Sequence, residues 1–246
     1  MRASALEFRL RMLINTAIIL LGFWAPWQET VSRRSLLEWI PLQLSRLGWM
    51  SFSSAVPAVI VLASIVAFIG AVLRVWGTAT LGPATVNSLS MKAGAVVADG
   101  PYRYVRNPLY LGLWCMVAAL AFLMPPSGAL CSMALITLFI VRLTMGEEGF
   151  LAERLGEPYQ AYLRAVPRFL PRLRSRIATS GARAHWLRAI LAELTPIGIF
   201  IAMAVVSWSY NGGLMVRVIL IGFGLSLVVR AVLPATTSEK PSTPAV

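Results

Sequence analysis

Pro108–Glu148 reads PLYLGLWCMVAALAFLMPPSGALCSMALITLFIVRLTMGEE, and this stretch decides the fold. Two apolar runs, Leu109–Met124 and Gly128–Thr144, are separated only by Pro125-Pro126-Ser127, and Arg142 is the sole charge before Glu147-Glu148. Proline has no N–H to continue a helix, so the tripeptide predicts a tight turn between two short helices. Such a hairpin returns the chain to the side it left, which predicts that Tyr110 and Glu147 lie close together.

Working outward, four further apolar runs appear: Met12–Trp27, Val56–Val75, Trp186–Trp208 and Leu214–Leu233. Each is near the roughly 20 residues a helix needs to cross about 30 Å of hydrocarbon. Composition agrees: 58% of the 246 residues are hydrophobic, the mean hydropathy is +0.73, and 13% are charged. A soluble domain carries about 25% charged residues. The expectation is an all-α polytopic membrane bundle of about six spans, with a short hairpin formed by the third and fourth. The Trp24, Pro26 and Trp27 end of the first run lacks a small-residue cleavage pattern, which favours an uncleaved span over a signal peptide.

The net charge is +12, nearly all of it arginine, since Lys92 and Lys240 are the only lysines. The arginines sit beside apolar runs, so anionic lipid headgroups are the expected partner and nucleic acid is not. Arg2, Arg9 and Arg11 precede the first run, Arg74 to Arg106 lie between the second and third, and Arg142 to Arg188 follow the fourth. The turns Pro125–Ser127 and Ser209–Gly213 carry no charge. The positive-inside rule then places both termini in the cytoplasm, with a bacterial inner membrane as the expected location. Gln28–Ala55, on the outer side, patterns Leu36, Leu37, Trp39, Ile40, Leu44 and Leu47 as a helix lying on the surface. Cys115 and Cys131 lie in apolar runs and read as buried thiols, and His185 has no Cys, Asp or Glu at ligand spacing, which argues against a metal site. The organisation expected is residues 1–80 as N-terminal spans with the interfacial segment and 81–171 as the core. Residues 172–233 follow as a basic linker with two spans, and 234–246 as a disordered tail.

Two polar islands fall on the same side of this arrangement. GPYRYVRNPLYLG, Gly100–Gly112, has turns at Gly100-Pro101 and Asn107-Pro108 that leave backbone groups free for a ligand. Tyr102, Tyr104 and Tyr110 supply ring faces and hydroxyls, and Arg103 and Arg106 supply donors suited to a carboxylate or phosphate. The second island starts at Glu147-Glu148, where an apolar helix meets the interface, and runs through LGEPYQAY to VPRFLP, ending at Pro171. Carboxylates at that depth usually have a cationic partner, and Arg142 and Arg154 on the same helix are the nearest candidates.

The LRVWG of residues 73–77, LGPATVNSLSMKAGAVVADGPYRYVRNPLYLG, the hairpin, and EEGFLAERLGEPYQAYLRAVPRFLP together resemble the isoprenylcysteine carboxyl methyltransferase family, to which the phospholipid N-methyltransferases are related. The resemblance covers Leu73 to Pro171. It implies S-adenosylmethionine as methyl donor, held without a Rossmann fold. It further implies that Asn87, Gly94, Ala95, Val96 and Val97 meet the adenosyl part. Tyr102 and the turn Asn107, Pro108, Leu109 and Tyr110 would line the pocket, and Glu147, with Glu148 beside it, would bind the cofactor's ammonium group.

Two positions depart from the family pattern. Asn107 stands where many members have histidine; it still hydrogen-bonds but cannot ionise. Leu143 stands where an arginine usually faces the substrate, and Arg142, about 100° away around the helix, is the available replacement. Asn107 and Arg142 are therefore the catalytic candidates. The resemblance implies a lipophilic or lipid-modified acceptor entering sideways beside the hairpin while the cofactor enters from the cytoplasm. A phospholipid amine acceptor, a sterol-type NADPH-dependent reductase and a non-catalytic protein retaining the fold are the competing readings, and cofactor titration separates them.

Overall fold

The computed structural model describes residues 3–24, 34–86, 96–179 and 184–232, and among these every regular element is helical. In chain order they are α1 (Ala5–Arg9), α2 (Arg11–Trp24), α3 (Leu36–Arg46), α4 (Phe52–Leu81) and α5 (Pro83–Val86). A 3-10 turn (Gly100–Arg103) leads into α6 (Pro108–Ala121), α7 (Pro126–Leu155) and α8 (Glu157–Ala165), and the chain closes with α9 (Trp186–Ala192), α10 (Leu194–Ser209) and α11 (Gly212–Val232). The helix α3, in the segment expected to lie on the membrane surface, carries Pro41 inside it, and the tail from residue 234 lies outside the described residues.

Three helices, α4, α7 and α11, are long and apolar enough to cross a membrane, and a fourth span forms if the bent pair α9–α10 counts as one. Among the described residues this makes three to four candidate spans, against an expectation of about six. As described, α2 and α6 have 14 residues each, or about 21 Å at 1.5 Å per residue, short of the roughly 30 Å core. The run Trp186–Trp208 is not one straight helix but bends by 71° at Glu193. Pro196 explains the break, since it has no N–H to donate to the carbonyl of Ala192.

The helix α7 continues well past the apolar run ending at Thr144, because Met145 to Leu155 contains good helix formers and no proline. It stops at Gly156, whose φ is +61°. The glutamate pair thus lies inside a helix, with side chains directed by its periodicity. After α6, the chain turns over Phe122–Pro125, and the N–H groups of Leu36 and Leu37 donate to the carbonyls of Met124 and Phe122 at 2.9 Å each. The open start of α3 and the open end of α6 satisfy one another there.

Packing is dominated by small residues, as suits helices associating where lipid tails are as apolar as the partners. The helix α4 packs chiefly on α6 and α10, and α2 on α7. A Cβ at Gly112 would stand 2.9 Å from Arg74 Cγ and 3.0 Å from the Gly70 carbonyl oxygen, so glycine lets α4 and α6 touch backbone to backbone. One apolar core gathers Phe8, Ile18, Val117, Ile136, Phe139, Ile140 and Leu143. Leu143 is 0% exposed within it, which accounts for a leucine at that position: an arginine there would bury a charge among hydrocarbon.

Candidate functional site

The two polar islands do come together. Tyr104 and Arg106 are joined through their backbones to the segment after α8: Arg106 N donates to Pro167 O at 2.8 Å and Arg172 N to Tyr104 O at 3.0 Å. The Tyr162 hydroxyl donates to Tyr102 O at 2.9 Å, and the Thr179 hydroxyl to Asp99 Oδ1 at 2.7 Å. The 3-10 turn needs Gly100, with φ +52°, because a Cβ there would overlap Thr80 Oγ1 and stand 3.0 Å from Trp76 Nε1. The turn thereby seats against α4, with the Tyr104 ring 6.3 Å from that of Trp76.

The adjacent glutamates have different surroundings. Glu148 is buried and accepts from Arg168 (Nη2 at 2.8 Å), Asn107 Nδ2 (3.1 Å) and Arg106 Nη1 (3.4 Å). It ties the start of α6 and the segment after α8 to α7. Glu147 instead lies beside the Tyr110 hydroxyl, with the charge of Arg11 nearby. One turn earlier on the same helix, Thr144 Oγ1 is buried without a hydrogen-bond partner. The Tyr102 phenol, on the 3-10 turn, is pushed well above its ordinary range, first by burial and then by the negative charge of Glu147. It stays a neutral hydroxyl throughout the physiological range.

Several residues singled out in the sequence take other partners. Arg103 donates to the carbonyl of Ile177 through Nε and Nη2, and Arg106 to Glu148, so both serve the fold's own acceptors. Asn107 spends its amide on Glu148 and on the Arg168 carbonyl (3.4 Å) rather than capping α6. Pro108 and Leu109 pack on α4 at Gly77, and Val96 packs on the Tyr159–Tyr162–Val166 cluster. Val97 is half-buried, and Asn87, Gly94 and Ala95 lie outside the described residues. Arg142 is turned to the N-terminus: its Nη2 meets Glu7 Oε1 at 2.9 Å, and its carbonyl accepts from Ala3 N at 3.1 Å. That ion pair, with the Arg142 hydrogen bond as its main cause, lowers the pKa of the Glu7 carboxyl.

Two cations escaped the sequence reading. Arg11, read there only as part of the basic N-terminus, donates to the carbonyls of Phe8 and Val86 at 3.0 Å each. Arg74 donates through Nε and Nη2 to Glu193 at 2.9 and 2.8 Å, and its charge reaches both Tyr102 and Tyr110. Glu193 sits at the bend after α9, and nothing local in the sequence marks it except a lone acid in an apolar run.

A chain of membrane-crossing helices that gathers carboxylate, phenols and arginines at one end of the bundle has the form of an integral membrane protein with a polar ligand site. The model of the phospholipid methyltransferase family matches residues 58–158. The match spans 101 of the 246 residues, most of α4 together with α6 and α7, and over that segment the chain is similar to this family of membrane methyltransferases. No curated protein and no solved structure matches the chain.

Proposed function

We propose that the chain is an S-adenosylmethionine-dependent methyltransferase acting on a lipophilic acceptor from the cytoplasmic face of a bacterial inner membrane. One observation carries the reading: within the family-matched segment, the Glu147 carboxylate meets Tyr110 beside neutral Tyr102, while its neighbour Glu148 is committed to structure. The donor set suits the cofactor's amino-acid end. A carboxylate receives the ammonium, and the unpartnered hydroxyl of Thr144 on the same face of α7 has a hydrogen bond to give.

When bound, S-adenosylmethionine supplies a methyl group already activated on sulfonium, so the protein's task is alignment and exclusion of water. In this reading Glu147 and Tyr110 anchor one end of the site, and Tyr102 holds a fixed hydroxyl at its wall. The loop containing Val96 and Val97 contributes to the adenosyl side, together with Asn87, Gly94 and Ala95. Asn107 and Arg142 enter as positioning residues: Asn107 holds Glu148, and Arg142 holds the N-terminal helix over α7. With Asn107 unable to ionise, the site favours an acceptor that is already a nucleophile, a carboxylate or thiolate, which needs no general base. An apolar groove of about 360 Å³, lined by Phe68, Val72, Val75, Trp76, Trp186 and Phe200, opens beside Trp76 and offers room for an acceptor's hydrocarbon part.

The family match favours a second acceptor, a phospholipid amine. Incubating the protein with methyl-labelled S-adenosylmethionine and native membranes separates the two, since the label ends on an ester or thioether in one case and on nitrogen in the other. Binding is tested independently. Glu147→Ala weakens S-adenosylmethionine by about tenfold or more, the worth of one charged hydrogen bond. Equal affinity of wild type and variant in equilibrium dialysis removes Glu147 from the site.

A further inference from the structure

Glu193 is the one acid of the C-terminal helix pair, and it is almost wholly enclosed, with 2% exposure. It lies beyond the family-matched residues 58–158, at the bend between α9 and α10, yet among the described residues its side-chain hydrogen bonds come from α4 inside that segment. Arg74 grips it side-on with Nε and Nη2, and the Thr78 hydroxyl, one turn further along α4, donates to the same Oε1 at 2.6 Å. The start of α9 is tied to α4 as well, through His185 N and Ala79 O at 2.9 Å.

Stability is a weak reason for such an arrangement. Taking two charges out of water costs about what their attraction returns, and apolar residues of similar volume hold helices together as well or better. Ionisable groups at membrane depth are correspondingly rare unless they serve a site. The clasp also has a directed consequence. Side-on pairing commits one edge of the planar guanidinium to Glu193 and leaves Nη1 on the opposite edge. Arg74 packs against α6 at Gly112, two residues along the chain from Tyr110, where a Cβ would stand 2.9 Å from Arg74 Cγ. Tyr102 and Tyr110 both feel its charge, and Tyr102 also feels that of Glu193.

We propose that Glu193 is a positioning residue of the methyl-transfer site: from outside the family-matched segment, it fixes Arg74 on α4, the helix on which the turn bearing Tyr102 is seated, so that the guanidinium faces Tyr102 and not the Glu147 end. This rests on the methyltransferase reading above. In that setting Arg74 holds a fixed positive charge beside the acceptor's reacting end, and the bent α9–α10 pair is a working part of the site. The effect belongs on turnover and not on cofactor affinity, because Glu193 itself touches α4 and not the Glu147 end.

The test uses the full chain in lipid nanodiscs, with methyl-labelled S-adenosylmethionine and native membrane lipid as acceptor. Glu193→Gln keeps the shape and loses the charge; its maximal rate falls by about tenfold while the S-adenosylmethionine Kd stays within about threefold. Glu193→Asp, which can still pair with Arg74, recovers at least about a third of the wild-type rate. Should Glu193→Gln fail to fold, Thr78→Val removes one donor to the same carboxylate and lowers the rate by about threefold, again without moving the Kd. Rates within about twofold of wild type for the folded variants overturn the inference, as does an equal loss of rate and affinity, which marks a purely structural role. A wild-type protein that binds no S-adenosylmethionine fails before any variant is compared; that result overturns the methyltransferase reading, and the inference with it.

Discussion

Replacing Glu148 with alanine removes the acceptor on which three segments converge. The Arg106 side chain is 12% exposed, its Nε already lacks a partner, and Glu148 is the carboxylate with which it forms an ion pair. The Asn107 amide loses its shorter bond as well. Arg168 is 41% exposed and regains water, so its share of the loss is small. Breaking a buried ion pair from one side costs about 3–5 kcal/mol, and the exposure of Arg168 puts this case near the lower end, about 3 kcal/mol. At about 2–4 °C per kcal/mol for a chain of this size, the unfolding midpoint falls by about 6–12 °C. Thermal unfolding in detergent, followed by far-UV circular dichroism, measures it. Glu147→Ala is the comparison: it takes the carboxylate from beside one phenol, at about 1–2 kcal/mol, and acts mainly on cofactor binding. If Glu148→Ala unfolds within about 2 °C of wild type, the glutamates do not divide the work between structure and ligand.

Three other outcomes follow from the geometry. Gly100→Ala places a side chain at φ +52° against Thr80 and Trp76; left-handed backbone and overpacking together destabilise by about 2–5 kcal/mol, and an unchanged midpoint means the turn does not seat on α4 as described. Burial raises the phenols of Tyr102, Tyr159 and Tyr162, so the folded state keeps their protons; the stability they contribute is full below the ordinary value of 10.0 and is lost as pH rises beyond it. Absorbance at the phenolate band, about 295 nm, then shows these tyrosines ionising only as the protein unfolds, whereas normal titration near 10.0 refutes their burial. The lowered pKa of Glu7 gives the opposite sign: its pairing with Arg142 is complete above the ordinary value of 4.5 and fades as pH falls through the depressed one. Glu7→Gln at neutral pH therefore speeds amide exchange in α1, as Arg142→Ala does, and no change in either variant detaches the N-terminus from α7.

Much of this architecture was legible along the chain. Apolar runs and breakers are local signals, so Pro125-Pro126 announced a break, and the family resemblance pointed to Gly100–Gly112 and Glu147 before any coordinates. That the segment lies in a membrane also follows from composition, because every buried backbone group must be satisfied within a helix where water is absent. Span number was less readable, since hydropathy does not report where a helix ends: α7 runs on through its polar turns to Gly156, and Pro196 bends what looks like one span.

Only the tertiary structure decided who holds whom. Adjacent positions on a helix point about 100° apart, so Glu147 and Glu148 look equivalent in sequence yet meet different neighbours. The sequence places Arg142 beside Leu143 and does not point to Glu7, whereas the structure pairs it with that residue, 135 residues earlier. Arg74 and Glu193 are 119 residues apart, and their pairing needed α4 and the α9–α10 bend to be packed first. Local pattern determines which segments are helices, because propensity and turn chemistry act over a few residues. Charge partners depend on distances between segments remote in the chain, and those are set by packing alone.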